Sequence, residues 1–226
     1  MKNYFPPKPT LITITQPLFG QLELRDDVVC EKKYNGNRLI LKRFYFPEKI
    51  SENKTSHYEF WNRDGSMMKY VPPQELIDQL DKIRWEGECV LDGELLHFKK
   101  KQTKNWVVIF DVYLWNGVPT TGKSFKERRE LLERVAFCNT AHLQLNSQTI
   151  DENYLELAPQ WKGGAKGNFQ KVYDEVIQKD EIEGLVMKSL GSKVTLGTSN
   201  SPVVPTMWKV RKPVVSGRTG NTYLRF

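Results

Sequence analysis

The sequence predicts an α+β fold built on antiparallel sheets, and two observations carry that expectation. Three stretches are dense in apolar, β-branched and aromatic residues at strand length, and three others carry apolar residues at helical spacing. They follow one another in no simple β-α-β rhythm, which argues against a parallel sheet with crossover helices. The length suffices to bury one substantial core, and no long linker divides it, so a single domain over residues 1–226 is expected.

Each element has its own local reason. Pro6 to Pro9 reads as an opening loop, because prolines remove backbone donors. Next, Glu31-Lys32-Lys33-Tyr34-Asn35-Gly36-Asn37-Arg38 places a lysine between an apolar segment and a glycine turn, and leads directly into a strand over 37–46. Leu76, Leu80 and Ile83 predict a helix over 73–84. Strands over 87–98 and 105–115 flank Lys99-Lys100-Lys101-Gln102-Thr103-Lys104, an expected exposed hairpin tip. A helix over 124–137 follows, with Leu131, Leu132 and Val135 on one side and with Ser124 and Glu127 at the spacing of a capping box. Trp161 to Gly167, rich in glycine, reads as a loop, and so does Leu196 to Pro205. Between them, Phe169, Val172, Tyr173 and Val176 predict a helix over 168–179 with Asn168 as its N-cap, and 181–190 is apolar and strand-like.

Composition narrows the function classes. Lysine and arginine number 34 against 27 aspartates and glutamates, a net charge of +7, and the sequence pI is about 9.2. Cationic surfaces attract and steer polyanions, so nucleic acid is a candidate partner. Cys30, Cys89 and Cys138 are far apart and odd in number, and with His57, His97 and His142 they give neither a disulfide framework nor a zinc-ligand spacing. A reducing, cytoplasmic compartment is expected. No apolar run approaches the roughly 20 residues that span a bilayer, so no membrane partner is expected.

A lysine held at a strand edge among other cations can lose its proton near neutral pH and act as a nucleophile. Alone, a lysine before a glycine turn is an ordinary charged turn. The surrounding pattern changes that reading: Glu31-Lys32-Lys33-Tyr34-Asn35-Gly36-Asn37-Arg38 resembles the first motif of the DNA ligase, RNA ligase and capping-enzyme superfamily, E-x-K-x-D-G-x-R. The later motifs follow in the family's order: Leu91-Asp92-Gly93-Glu94-Leu95, Phe110-Asp111-Val112-Tyr113, Glu183-Gly184-Leu185-Val186-Met187-Lys188, and Trp208-Lys209-Val210-Arg211-Lys212. Each is short and common, and it is the sequence of five in order that identifies the resemblance.

The resemblance implies a ligase-type nucleotidyltransferase domain: antiparallel sheets flanked by helices, with a nucleotide cleft between the sheets. It implies that Lys33 attacks the α-phosphorus of ATP and carries AMP. Lys188, Lys209 and Arg211 would contact the phosphate and favour the neutral amine of Lys33. Glu94 would hold the ribose, Phe110 would stack on the adenine, Glu31 would read its amino group, and Arg38 would lie near the ribose and the nick. Mg²⁺ would be held by Glu183 and Glu94, since attack on a triphosphate needs an amine, cations on phosphate and carboxylates that hold the metal. The implied partner is nicked duplex nucleic acid, DNA favoured, acted on by a monomer. Arg38 and the helix carrying Glu127-Arg128-Arg129 and Leu132 look most like DNA ligases. RNA ligation with the same chemistry, capping-type guanylyl transfer and an inactive nucleic-acid-binding module are the alternatives.

The chain departs from the pattern in three places. Asn35 stands where the family has Asp, keeping the shape but losing a charge and an acceptor. Arg211 stands where many DNA ligases have lysine, and Lys209, Arg211 and Lys212 are all candidates for the phosphate. The sequence given ends at Phe226, too soon after Lys212 for a C-terminal OB-fold, so none is expected.

Overall fold

The computed structural model describes residues 4–44, 57–83, 86–99, 103–136 and 154–213. Cys138, His142, the final residues of the expected strand 37–46 and of the expected helices 73–84 and 124–137, and the middle of the 99–104 tip lie outside the described residues.

Two sheets form the molecule. The first runs in the order β1 (Lys8–Leu11), β11 (Val203–Arg211), β10 (Ile182–Ser189), β2 (Val28–Tyr34), β9 (Gln160–Lys162). The second runs β4 (His57–Trp61), β3 (Asn37–Phe44), β5 (Cys89–Leu96), β6 (Trp106–Trp115), β7 (Val118–Pro119), with β8 (Leu155–Leu157) beside β6. Pairing is antiparallel except for β1 on β11 and β8 on β6. The expected class therefore holds, and the strands over 37–44, 89–96 and 106–115 fall inside the expected stretches.

Side chains alternate across a strand, so each sheet has one apolar outer face and one face turned to the other sheet. Helices α1 (Pro17–Glu23) and α4 (Phe169–Val176) bury Phe19, Leu22, Phe169 and Val172 against Val28, Cys30, Leu185, Met187 and Val210 of the first sheet. Helix α2 (Gln74–Asp81) buries Leu76 and Leu80 against Leu39, Leu41, Leu91 and Ile109 of the second. Each such leucine, fully buried, contributes about 2 kcal/mol. The odd-numbered residues of β2, Val29, Glu31 and Lys33, are left to face the second sheet.

Local expectations are met unevenly. Helix α3 (Phe125–Leu131) starts with the capping box: Ser124 Oγ accepts from the Glu127 amide at 3.3 Å and Glu127 returns an acceptor to the Ser124 amide at 2.7 Å. It continues as a π-helical turn, Leu132–Ala136. Asn168 occupies the N-cap of α4 but makes no side-chain cap bond. Instead Glu23, at the end of α1, accepts from the Gln170 amide at 3.2 Å, so a residue distant in sequence satisfies that helix start. Three expected loops are partly strand: Pro6 to Pro9 runs into β1, Trp161 lies in β9, and Leu196 to Pro205 ends in β11. β1 and β9 are sheet edges, which recruit polar or proline-containing chain that carries no alternation of its own, and the first residues of β11 pair with the edge strand β1. None of the described helices is long and apolar enough to cross a membrane.

Candidate active site

The motif around Lys33 is the corner at which the chain passes from one sheet to the other. Strand β2 ends at Tyr34, β3 begins at Asn37, and Asn35 and Gly36 make the crossing. Gly36 is required by space: a Cβ would overlap the Leu95 carbonyl and the Glu94 side chain. Its amide donates to Glu94 Oε1 at 3.0 Å, and the Asn35 amide donates to the Glu181 carbonyl at 2.8 Å. The corner thus puts Lys33 on one wall of a cleft and Arg38 on the other.

On the first wall, Lys33 Nζ is ion-paired and hydrogen-bonded to Glu183 Oε2. A strict period of two would not bring these groups together. Strand β10 bulges against β2 between Ile182, which pairs with Tyr34, and Gly184, which pairs with Lys33, so Glu183 is the extra residue. Bulges re-aim side chains in this way. Gly184, at φ +145°, permits the bulge, and a Cβ there would collide with the Val210 carbonyl. Gly184 also pairs with Arg211, whose Nε lies 3.8 Å from Glu183 Oε2. Lys209 projects from the same face two residues earlier, and burial, then the charges of Arg211 and Lys33, lower its pKa. Burial raises the Glu183 carboxyl, but the charge and hydrogen bond of Lys33, with Arg211, outweigh it and leave a net lowering.

Lys212 is elsewhere. Its ammonium donates to the carbonyls of Ile177 at 3.4 Å and Lys179 at 3.1 Å, at the carboxyl end of α4. Of the three cations in the last motif, Lys209 and Arg211 belong to the cleft.

On the second wall, Arg38 grips both oxygens of Asp92, and Tyr113 Oη donates to the same carboxylate. Glu94, one alternation away, has a raised pKa: burial dominates over the opposing charges of Lys33, Arg38 and Lys99. Phe110 is a bulged residue too, falling between the pairs Asp92 with Asp111 and Gly93 with Ile109. The extra residue leaves its ring partly buried, with the Arg38 guanidinium 4.8 Å and the Lys188 ammonium 5.0 Å from its centroid. Lys188 is paired with Glu31 at 2.6 Å, both almost fully buried.

The structure therefore gathers Lys33, Glu183, Lys209 and Arg211 in one group, Glu31, Lys188 and Phe110 in a second, and Arg38 and Glu94 on the facing wall. Four further participants went unread in the sequence. Asp92 lay inside a quoted motif without a role, and Tyr113 with it. The Arg128 guanidinium forks onto Asp111 at 2.7 and 2.9 Å. It stands three residues after Phe125 and four before Leu132, on the buried side of its helix, and a charge at such a position signals a buried counter-ion. Gln160 follows no motif.

Among the described residues, no group of three or more His, Cys, Asp or Glu side chains could hold a metal ion. Glu183 and Glu94 nonetheless supply hard oxygen donors of the kind Mg²⁺ takes one or two at a time, the remainder coming from water and phosphate.

A model of the ATP-dependent DNA ligase domain matches residues 96–209. The chain belongs to the ATP-dependent DNA ligase domain family. The match takes in Phe110, Glu183, Lys188 and Lys209, and the wider fold agrees with ligase structures. The chain is similar to the mycobacterial DNA ligase D complexed with ATP and MES, with TM-score 0.55, 17% identity and coverage of 90% of this chain and 60% of that one. It is similar to the ligase domain of LigD from M. tuberculosis, with TM-score 0.56, 16% identity and coverage of 91% and 59%. It also resembles the ATP-dependent DNA ligase from bacteriophage T7 in complex with ATP, with TM-score 0.52, 13% identity and coverage of 92% and 68%. This ligase-family chain thus spans about 60% of the length of the first two.

Proposed function

We propose that this domain is the adenylyltransferase unit of an ATP-dependent polynucleotide ligase and that Lys33 becomes covalently adenylylated. The observation that carries the reading is the Lys33–Glu183 ion pair, built by a bulge and bordered by Arg211 and Lys209. Such an arrangement stores an amine beside a carboxylate among cations that suit phosphate. Two of the ligases it resembles were solved with ATP.

In the first step the Lys33 nitrogen forms a bond to the α-phosphorus, the bond to the bridging oxygen of the β-phosphate breaks, pyrophosphate leaves and the amine loses a proton. Arg211 and Lys209 neutralise the phosphate oxygens, while Phe110 offers a ring face to the adenine and Glu94 an acceptor to the ribose. Glu183 and Glu94 would hold Mg²⁺, which when bound offsets charge developing on the phosphate oxygens. AMP then passes from Lys33 to a 5′-phosphate, and a 3′-hydroxyl displaces it to form the phosphodiester, with Arg38 at the rim nearest the nick. The substrate is nicked duplex nucleic acid, DNA ahead of RNA, gripped through its backbone by the basic surface that includes Lys99 and Lys104.

Incubation with ATP labelled at the α-phosphate, then a denaturing gel, tests the first step: label should stay on the wild-type protein and be absent from Lys33→Ala. Sealing assays on nicked DNA, nicked RNA and hybrid duplexes, with GTP beside ATP in the labelling, separate DNA ligation from RNA ligation and guanylyl transfer. Absence of label with every triphosphate would leave a nucleic-acid-binding module instead.

A further inference from the structure

We infer that Gln160 is a specificity-determining residue of the nucleotide site, fixing Glu31 so that the base end of the cleft accepts a 6-amino purine and rejects a 6-oxo purine. The inference rests on the adenylyltransferase reading above and adds a residue outside all five motifs.

Gln160 opens the edge strand β9 and pairs in register with Glu31 of β2, so both side chains lie on the face turned to the cleft. Its amide Nε2 donates to Glu31 Oε1 at 2.6 Å. From the other side, β10 brings Lys188 Nζ to 2.6 Å from Glu31 Oε2. The Glu31 carboxylate, 2% exposed, is therefore forked between a neutral amide and an ammonium from its two neighbouring strands. The same ammonium lies 3.4 Å from the Phe110 carbonyl and 4.5 Å from the Phe125 ring. These groups converge beside Phe110, so a base stacked there presents its polar edge to them.

A carboxylate has about four lone-pair positions, and two donors occupy two of them. The remaining positions accept hydrogen bonds, which suits an exocyclic amino group. A 6-oxo group would bring a lone pair against the carboxylate while the nearest donors are already turned onto Glu31. Gln160 acts through Glu31 and is in that sense a positioning residue. Without its amide, Glu31 has one anchor, its carboxylate can turn, and the Lys188 ammonium becomes a donor that a 6-oxo purine can use.

The experiment compares labelling of Lys33 by ATP and by inosine triphosphate, which carries oxygen at the 6-position, in wild type, Gln160→Leu and Gln160→Glu. In Gln160→Leu the ATP preference should fall roughly tenfold or more, chiefly through a higher KM for ATP, with the melting temperature little changed. Equal losses with both nucleotides, or an unchanged ratio, would overturn the inference and leave the adenylyltransferase reading standing. Gln160→Glu keeps the side-chain shape and sets two carboxylates face to face, which cannot both ionise readily. Its ATP labelling should be weak at pH 8 and recover toward pH 6 relative to wild type. A profile parallel to that of wild type would count against the Gln160–Glu31 contact. A wild-type protein that takes label from neither nucleotide overturns both readings.

Discussion

Glu94 and Glu183 stand on opposite walls of one cleft, both partly buried, and their carboxyl groups are pushed in opposite directions. Around Glu94, burial outweighs Lys33, Arg38 and Lys99, and the pKa rises. Around Glu183, burial acts in the same sense but Lys33 and Arg211 overcome it, and the pKa falls. The difference lies in which cations are committed. Arg38 is spent on Asp92, and Arg128 behind it on Asp111, both through two-pronged contacts that fix geometry. Lys33 is a point charge on a flexible stem, held by a single carboxylate, and can exchange that partner for a phosphate. The arginine–aspartate pairs of the second wall are a scaffold, and the Lys33 pair of the first is exchangeable.

The largest expected effect tests the scaffold. Arg128 and Asp111 have side chains only 3% and 9% exposed, so Arg128→Met leaves a buried carboxylate without its counter-ion and should cost about 3–5 kcal/mol in urea unfolding. Lys33→Met, on the exchangeable wall, should cost about 1 kcal/mol. Equal losses would erase the distinction between the walls.

Next comes the bulge. Gly184→Ala must either move the Val210 carbonyl or flatten β10, at a cost of about 3 kcal/mol. Flattening it returns Glu183 to ordinary alternation, away from Lys33, and adenylylation should fall roughly 100-fold. A variant that unfolds early yet labels Lys33 at the wild-type rate would show that the bulge serves stability alone.

The paired carboxylates give opposite pH signatures. Stability from ionised Glu183 is present above its ordinary pKa and disappears as pH falls through the lowered value, so Glu183→Gln should be less stable than wild type at pH 7 and converge with it below about pH 4. Ionisation of Glu94, whose pKa is raised, opposes folding. That penalty is full above the raised value and fades as pH falls toward about 4. Glu94→Gln keeps an acceptor for the Gly36 amide and should be more stable than wild type at pH 7, the gain vanishing in acid. Midpoints of unfolding from about pH 3 to pH 8 measure both, and shifts of the same sign would contradict the assignment.

The sequence exposes what alternation and helical spacing can encode. Strands β3, β5 and β6 and the capping box at Ser124 were legible from it. Bulges were not, because an extra residue at Phe110 or Glu183 breaks the period on which a face is assigned. Gly184 is the one cue, and only in retrospect. The edge strands β1, β7, β8 and β9 span two to four residues, too few to show a pattern. Gln160 and Glu31 are 129 residues apart, and no local preference announces a contact made by strand order alone.

The smallest effect resolves the basic end of the last motif, where Lys209, Arg211 and Lys212 were equivalent on paper. Strand alternation turns Arg211 into the cleft and leaves Lys212 over the carboxyl end of α4, where it satisfies carbonyls that the helix itself cannot. Lys212→Met should therefore lower stability by about 0.5–1 kcal/mol and leave adenylylation unchanged. Arg211→Met should do the reverse, since its guanidinium is half exposed and its loss removes a cation from beside Glu183, at the proposed phosphate site. Measuring urea midpoints and Lys33 labelling for both variants separates the roles, and a labelling defect confined to Lys212→Met would place the phosphate on the other side of β11.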